Sequence, residues 1–363
     1  MRVNLIAKFL GANFATRLFG FGVDLYLVYF AAQAFAASYY VALLAPTLMF
    51  SVIAYQSAVF RVTDNVINMK SAFIFALICI GGTAYTFHIS ESLDVLGWLL
   101  ILCTFIGLVL YYFAGEKSDD VIWIGPVSWV LLPACCIVFA LFLSDIPGAA
   151  QLSVITALML RTCVILSISK PTKPLKSLDE VTWFVCLIML LLLSIRLLVS
   201  LLYRMALPDT LLIDYSFNSR LALNFYAFLL IPMFIKYGHK ISDAAIVKML
   251  VASIVGFVLS MTLGDIFLLS KFNLNYLTMT LCLVPLVFVW DRFLFKVEVP
   301  LVLRAAMSSL VGGLIFLSSV YFYPIAGLSW LESFSGETLF LAYLVCWVPA
   351  IAGARSLHWW RLR

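Results

Sequence analysis

Two side chains of opposite charge, Arg17 and Asp24, lie in the first long apolar stretch of the chain. They stand seven residues, or two helical turns, apart, so a helix would carry both on one face with Gly20 between them. Guanidinium groups bind anions such as phosphate. A charge at bilayer depth costs at least ~2.5–3.5 kcal/mol, so such residues normally face a bundle interior or a water-filled cavity. Two interpretations follow: a pair that locks the first helix to a neighbour, or a polar cavity.

The rest of the chain is equally apolar. Of its 363 residues, 64% are hydrophobic and 11% are charged, and the mean hydropathy is +1.10. Apolar runs recur along the entire length, and no polar interval between them is long enough to bury a core of its own. The N-terminal stretch has no small-residue cleavage site and is expected to be retained. This composition predicts an all-α polytopic membrane protein.

About twelve segments reach the ~20 apolar residues that a transmembrane helix needs. The predicted spans are 9–32, 37–60, 71–89, 94–114, 121–143, 150–168, 181–203, 212–235, 244–269, 272–294, 300–323 and 337–354. The most polar connection, residues 169–180, divides them into six and six. We therefore predict two six-helix lobes, residues 1–168 and 181–363, joined by a cytoplasmic linker, an arrangement common in transporters built from repeats.

The lysines and arginines predict the orientation. If the N-terminus is cytoplasmic, nearly all basic residues outside the spans fall in connections on the inner side, whereas the outer connections carry mainly acidic residues. This positive-inside bias predicts that both termini are cytoplasmic. It also accounts for the net charge of +5 without a nucleic-acid partner.

Further ionisable residues lie in or near the predicted spans, and most are cationic. They are Arg161, Arg196, Arg220, Asp265 and Arg304. Arginines at several depths suit an anionic head group that is passed across the bilayer. Each also has a structural alternative: Arg304 would snorkel to the inner interface, and Arg161 and Arg196 could pair with carbonyl groups or carboxylates. Asp24 would neutralise Arg17 or, like Asp265, bind a coupling ion.

The chain shows no constellation typical of an enzyme or a metal site. All eight cysteines lie in apolar runs, where cysteine behaves as a small hydrophobic residue. The three histidines fall at span ends or in tails, and no hydrolase, metalloprotease or P-loop motif is present. We expect no cofactor and no metal. Prolines inside spans, such as Pro126 and Pro133, predict either helix kinks or ordinary packing.

The opening segment then resembles a known family. Residues 16–24, TRLFGFGVD, followed by an apolar stretch to Pro46, resemble the start of the MviN/MurJ lipid II flippases, with S-R-x-L-G-F-x-R-D at this point. Residues 215–238, YSFNSRLALNFYAFLLIPMFIKYG, are similar to the family's Y-Y-A-D-R-L segment. Arg17 and Arg220 fall on its cavity arginines. The departures are Val23 for arginine, Ala37 and Ser219 for aspartates, and Tyr55 near an acidic position.

The resemblance implies a place in the wider superfamily of multidrug, oligosaccharidyl-lipid and polysaccharide exporters. It implies a flippase of the bacterial cytoplasmic (inner) membrane that carries a polyprenyl-pyrophosphate-linked saccharide outward by alternating access, beside membrane lipids and glycan-synthesis enzymes. Arg17, Arg161, Arg196 and Arg220 would hold the anionic head group. The alternatives are a cation-coupled multidrug exporter of the same fold, an integral-membrane glycan polymerase or acyltransferase, and a degenerate homologue that scaffolds envelope enzymes.

Overall fold

The described part of this computed structural model is helical throughout. It covers residues 2–43, 95–114, 127–168, 208–237 and 242–263, with isolated positions at 46, 81, 276, 285, 286, 289 and 311. Its helices are α1 (Arg2–Tyr29), α2 (Gln33–Ala42), α3 (Val95–Ala114), α4 (Leu131–Phe142), α5 (Ala149–Ile168), α6 (Asp209–Tyr237) and α7 (Asp243–Leu263). No strand occurs among these residues. The prediction of an all-α chain is thus confirmed where it is described.

The described residues belong to two compact units. The first contains α1 to α5 together with α6 as far as Phe217, and the second contains α6 from Asn218 onward and α7. The predicted linker, residues 169–180, lies outside the described residues, so the predicted lobe boundary stays a prediction.

Helix α5 is the centre of the first unit. It packs against α2, α3 and α4, while α1 packs against α2 and α4. Helices α1, α2, α5 and α4 therefore form a closed cycle of neighbours. In the part of the chain that the structure describes, α5 alone is both long and apolar enough to cross a membrane; Val95–Gly107, Leu131–Phe142 and Ala244–Val255 are shorter apolar stretches.

Two glycine contacts fix the direction of α3 relative to α5. Gly148, just before α5, has φ +79°, and a Cβ there would collide with Cδ1 of Leu96 in the first turn of α3. Further along, a Cβ on Gly107 would lie 2.9 Å from Oγ1 of Thr162 on α5. Because the start of α3 meets the start of α5 and the later turns meet later turns, the two helices run parallel. Helix α4 lies between them in sequence, as expected if successive helices run in alternating directions.

Three buried hydroxyl groups are satisfied within their own helices. Thr104, Ser153 and Ser253 donate to carbonyl oxygens three or four residues earlier, at 2.7 to 2.8 Å. Thr162 makes the same kind of bond to the carbonyl of Leu158 at 2.8 Å. Such bonds pair a polar group without water and are tolerated in membrane helices. The polar side chains of these helices can therefore be buried at little cost.

The outer surface of the described helices is strongly apolar. On α7 an unbroken stripe at helical spacing is exposed: Val247, Leu250, Val251, Ile254, Val255 and Val258. Helices α1, α3, α4 and α5 expose large apolar side chains as well. Exposed apolar surface of this extent indicates contact with a membrane or with other protein.

Candidate functional site

Asp24 lies on the buried side of α1. It is 3% exposed, and its neighbours on that side, Val23, Leu27 and Val28, are buried too. The hydroxyl of Tyr40 on α2 donates a hydrogen bond to Oδ1 of Asp24 at 3.3 Å, which is long for a bond between oxygens. The bond links two helices that are joined by only three residues. Asp24 is thus an interior carboxylate that faces α2.

The pairing of Asp24 with Tyr40 follows from the hairpin geometry. At a rise of 1.5 Å per residue, Asp24 lies about 8 Å from the C-terminal end of α1, and Tyr40 lies about 11 Å from the N-terminal end of α2. When two antiparallel helices are joined by a short connection, residues at similar distances from the connection lie close together. Tyr40 also contacts the ring of Tyr39, with the ring centroids 6.0 Å apart, and both tyrosines are buried.

Arg17 is near the middle of α1 and is only partly buried. It lies twelve residues before the end of the helix, which is about 18 Å at helical rise. The neighbouring side chains Leu18 and Phe19 are exposed. Arg17 therefore keeps some accessible surface.

Arg161 on α5 differs from Arg17 because its side chain is enclosed. Its side chain is 3% exposed, and its guanidinium carbon lies 4.1 Å from the ring centroid of Trp129. That distance is well inside the ~6 Å range of a cation–π interaction. Arg161 is twelve residues after Ala149, and Trp129 is thirteen before Phe142. Because α4 and α5 are joined by a short turn, both side chains lie about 18 to 20 Å from it.

Pro133 explains why Trp129 is available for this contact. A proline inside a helix clashes with the carbonyl of the residue four positions earlier, which here is Trp129. The helix is interrupted there: Trp129 and Val130 form a turn, the amide of Leu132 donates to the carbonyl of Trp129 at 3.2 Å, and α4 begins at Leu131. In the described part of the predicted fifth span, residues 127–143, the helix is thus interrupted at residues 129–130.

Helix α6 carries a buried polar segment that the sequence prediction covered only in part. Ser216, Asn218 and Ser219 are buried, together with Tyr215 and Phe217. Arg220 follows directly and is partly buried. These residues begin seven positions into a helix of 29 residues, so they lie well away from its ends. Amides and hydroxyls beside a guanidinium can hydrogen-bond both sugar hydroxyls and phosphate oxygens.

A shallow apolar groove of about 490 Å³ lies where α1 meets α4. It is lined by Ala15, Leu18, Phe19, Gly22 and Val23 of α1 and by Ile137 of α4. Ala15, Phe19 and Gly22 lie on the opposite side of α1 from Arg17 and Asp24, because successive residues turn by 100°. One side of α1 therefore carries the two charged residues, and the opposite side is apolar.

The predicted site residues are distributed over both units. Arg17, Asp24 and Arg161 belong to the first unit and Arg220 to the second. Arg196 and Asp265 lie outside the described residues, as does Arg304. Sequence reasoning missed Tyr40 and Trp129; the proline four residues after Trp129 is the signal that could have indicated it. In the described ranges, no group of three or more His, Cys, Asp or Glu residues could hold a metal ion.

No protein-family model matches this chain, and no curated protein matches it.

Proposed function

We propose that this protein is an integral protein of the bacterial cytoplasmic membrane that moves a lipid-linked anionic saccharide to the outer leaflet. The observation that carries the proposal is the pairing of buried charge with an apolar exterior. Asp24 and Arg161 are each 3% exposed, while large apolar side chains cover the outside of the same helices. Charged residues buried in this way in membrane helices typically mark a substrate or ion pathway.

The arginines supply the recognition chemistry. Arg17 and Arg220 keep partly accessible side chains, and a planar guanidinium matches a diphosphate with two parallel hydrogen bonds. We assign these two residues to the head group, with Arg196 as a further candidate. The buried amide of Asn218 and the buried hydroxyl of Ser219 come just before Arg220 in the sequence and would contact the sugar.

The transport mechanism is alternating access between two six-helix lobes of about twelve spans in total, with both termini cytoplasmic. The parallel course of α3 and α5 supports the alternation of crossings in the first half of the chain. The resemblance of residues 16–46 and 215–238 to the MviN/MurJ flippases supports the substrate class. The chain then needs no catalytic residue, and membrane lipids and glycan-synthesis enzymes are its expected neighbours.

Asp24 favours a second candidate, a cation-coupled multidrug exporter of the same fold. A buried carboxylate that accepts a hydrogen bond from Tyr40 is the type of group that can bind a coupling proton or metal cation. In the flippase the same carboxylate would serve coupling or would balance Arg17. We rank the flippase first because most ionisable residues in the predicted spans are cationic.

A cell-surface glycan assay tests the proposal. Replacing Arg220 with Ala or Glu should abolish export of the glycan at a normal level of the protein, because the head group loses its charged partner. The matched control is Lys248→Ala, which removes an exposed charge on α7 and should leave export unchanged. Undiminished export by the Arg220 variants would remove the residue from the mechanism.

A further inference from the structure

The contact between Arg161 and Trp129 has the geometry of a strong cation–π interaction. The guanidinium carbon lies 4.1 Å from the centroid of the indole ring, and the arginine is 3% exposed. Indole is the best aromatic partner for a cation, and the attraction is largest when both groups are shielded from water. An arginine stacks well because its guanidinium is planar and weakly hydrated.

The interruption of α4 holds the indole in place. Pro133 prevents a regular helix at Trp129, and the turn at residues 129–130 is closed by hydrogen bonds from Val130 to the carbonyl of Val127 at 2.9 Å and from Leu132 to that of Trp129 at 3.2 Å. The stack therefore joins the turn at residues 129–130, which we call the α4 bend, to the middle of α5. We refer to Trp129, Pro133 and Arg161 as the α4 clamp.

The clamp connects to Arg17 through packing. Helix α4 contacts both α5 and α1, and Ile137, one turn after Pro133, lines the groove against α1. A change in the position of the bend would shift the surface on which α1 rests. Arg17 lies on α1 and retains accessible surface, whereas Arg161 is enclosed.

From these observations we infer that Arg161 is a positioning residue, which holds the bend of α4 through Trp129 and acts on the transported head group through α1 without touching it. This assigns a role to Trp129 and separates Arg161 from the head-group contacts. The kinetic part of the inference rests on the proposed transport function, whereas the clamp rests on the geometry alone.

Thermal unfolding of the purified full-length protein in detergent tests the clamp independently of transport. Trp129→Leu and Arg161→Met should each lower the melting temperature, and the double variant should lose less than the sum of the two single losses, because both changes remove the same stack. Trp129→Phe should recover most of the loss, because it keeps an aromatic face. The matched control is Trp98→Leu on α3, where a half-exposed tryptophan is removed. Additive losses in the double variant, or equal losses for Phe and Leu at position 129, would overturn the clamp.

Transport kinetics in proteoliposomes test the positioning role, with a fluorescent polyprenyl-diphosphate-linked saccharide as the probe. Trp129→Leu and Arg161→Met should lower the turnover number by about tenfold, as expected from an interaction of cation–π strength, while KM stays within about twofold. Arg17→Ala should raise KM instead. A rise in KM for Arg161→Met that matches the rise for Arg17→Ala would show that Arg161 touches the ligand and would overturn the inference. If the unaltered protein transports no probe, the proposed function fails, whereas the unfolding data still decide the clamp.

Discussion

At the scale of single residues, Arg17 and Arg161 of the first unit differ in their surroundings. Arg161 is enclosed against an indole face, and Arg17 keeps accessible surface on a helix whose neighbouring side chains are exposed. The sequence alone places both in apolar spans and gives them the same charge. The difference arises because the indole of Trp129 covers Arg161; Pro133 predicts a helix kink, but the sequence does not show which side chain lies against Arg161.

The accessible arginine should dominate binding of the head group. Arg17→Ala should weaken the affinity for a fluorescent polyprenyl diphosphate by about ten- to hundredfold, because hydrogen bonds to charged groups contribute ~1.5–3 kcal/mol. Binding to the purified protein in nanodiscs measures this, with inorganic pyrophosphate as competitor. Lys8→Ala, which removes an exposed charge from the same helix, is the control. Equal affinities for Arg17→Ala and the unaltered protein would contradict the assignment.

We expect Asp24 to contribute more to the coupling of transport to an ion gradient than to the free energy of unfolding. Tyr40→Phe should lower the free energy of unfolding by about 0.6–1.7 kcal/mol, the range measured for side-chain hydrogen bonds between membrane helices. Asp24→Asn keeps the hydrogen-bonding shape but removes the charge, so transport should lose its response to an imposed proton or sodium gradient. Thermal unfolding and gradient-driven transport measure the two effects. A full gradient response in Asp24→Asn would exclude the residue from coupling.

At the scale of elements, the apolar periodicity gave several helix positions closely. The predicted spans 94–114 and 150–168 correspond to α3 (Val95–Ala114) and α5 (Ala149–Ile168), because turn and charge residues lie immediately outside both. Of the predicted span 121–143, the structure describes residues 127–143, in which a turn at residues 129–130 precedes α4 (Leu131–Phe142). Pro133 predicts such an interruption, whereas the apolar composition on both sides of the turn does not.

The close crossing of α3 and α5 depends on a missing side chain at Gly107. Gly107→Ala would place a Cβ 2.9 Å from Oγ1 of Thr162, and that oxygen is held by its bond to the carbonyl of Leu158. We expect a loss of stability of about 1–3 kcal/mol, typical of overpacking. Thr162→Ala in the same chain should restore most of the loss, because it removes the obstructing oxygen. Thermal unfolding measures both variants, and a Gly107→Ala protein as stable as the unaltered one would contradict this packing.

At the scale of the whole molecule, the sequence predicts the class of structure better than the site. An apolar chain with interior charges predicts helices with charged residues turned inward, and Asp24 and Arg161 follow this rule. Trp129 and Tyr40 belong to the candidate site only because α4 packs against α5 and α1 packs against α2. Such contacts depend on local features, such as Pro133 four residues after Trp129 or Gly107 and Gly148 between α3 and α5, which leave no periodic pattern.

The topology of the first unit has a direct test. If the N-terminus is cytoplasmic and the predicted spans cross in alternation, the turn between α4 and α5 should lie on the outer side of the membrane. A cysteine at the exposed position Asp145 should react with a membrane-impermeant maleimide in intact cells, whereas one at Lys8 should react only after permeabilisation. The chain without an introduced cysteine measures the background labelling of its own cysteines. The reverse pattern would invert the orientation derived from the basic residues.

We propose that interior guanidinium groups carry an anionic lipid head group across the bilayer. The most direct measurement is the rate at which a fluorescent polyprenyl-diphosphate-linked saccharide crosses the membrane of proteoliposomes that contain the purified protein. The rate of crossing should be well above that in protein-free liposomes. Arg17→Ala and Arg220→Ala should each reduce this rate strongly, and Lys248→Ala should leave it unchanged. Crossing at the protein-free rate, or equal rates for all four proteins, would contradict the proposal.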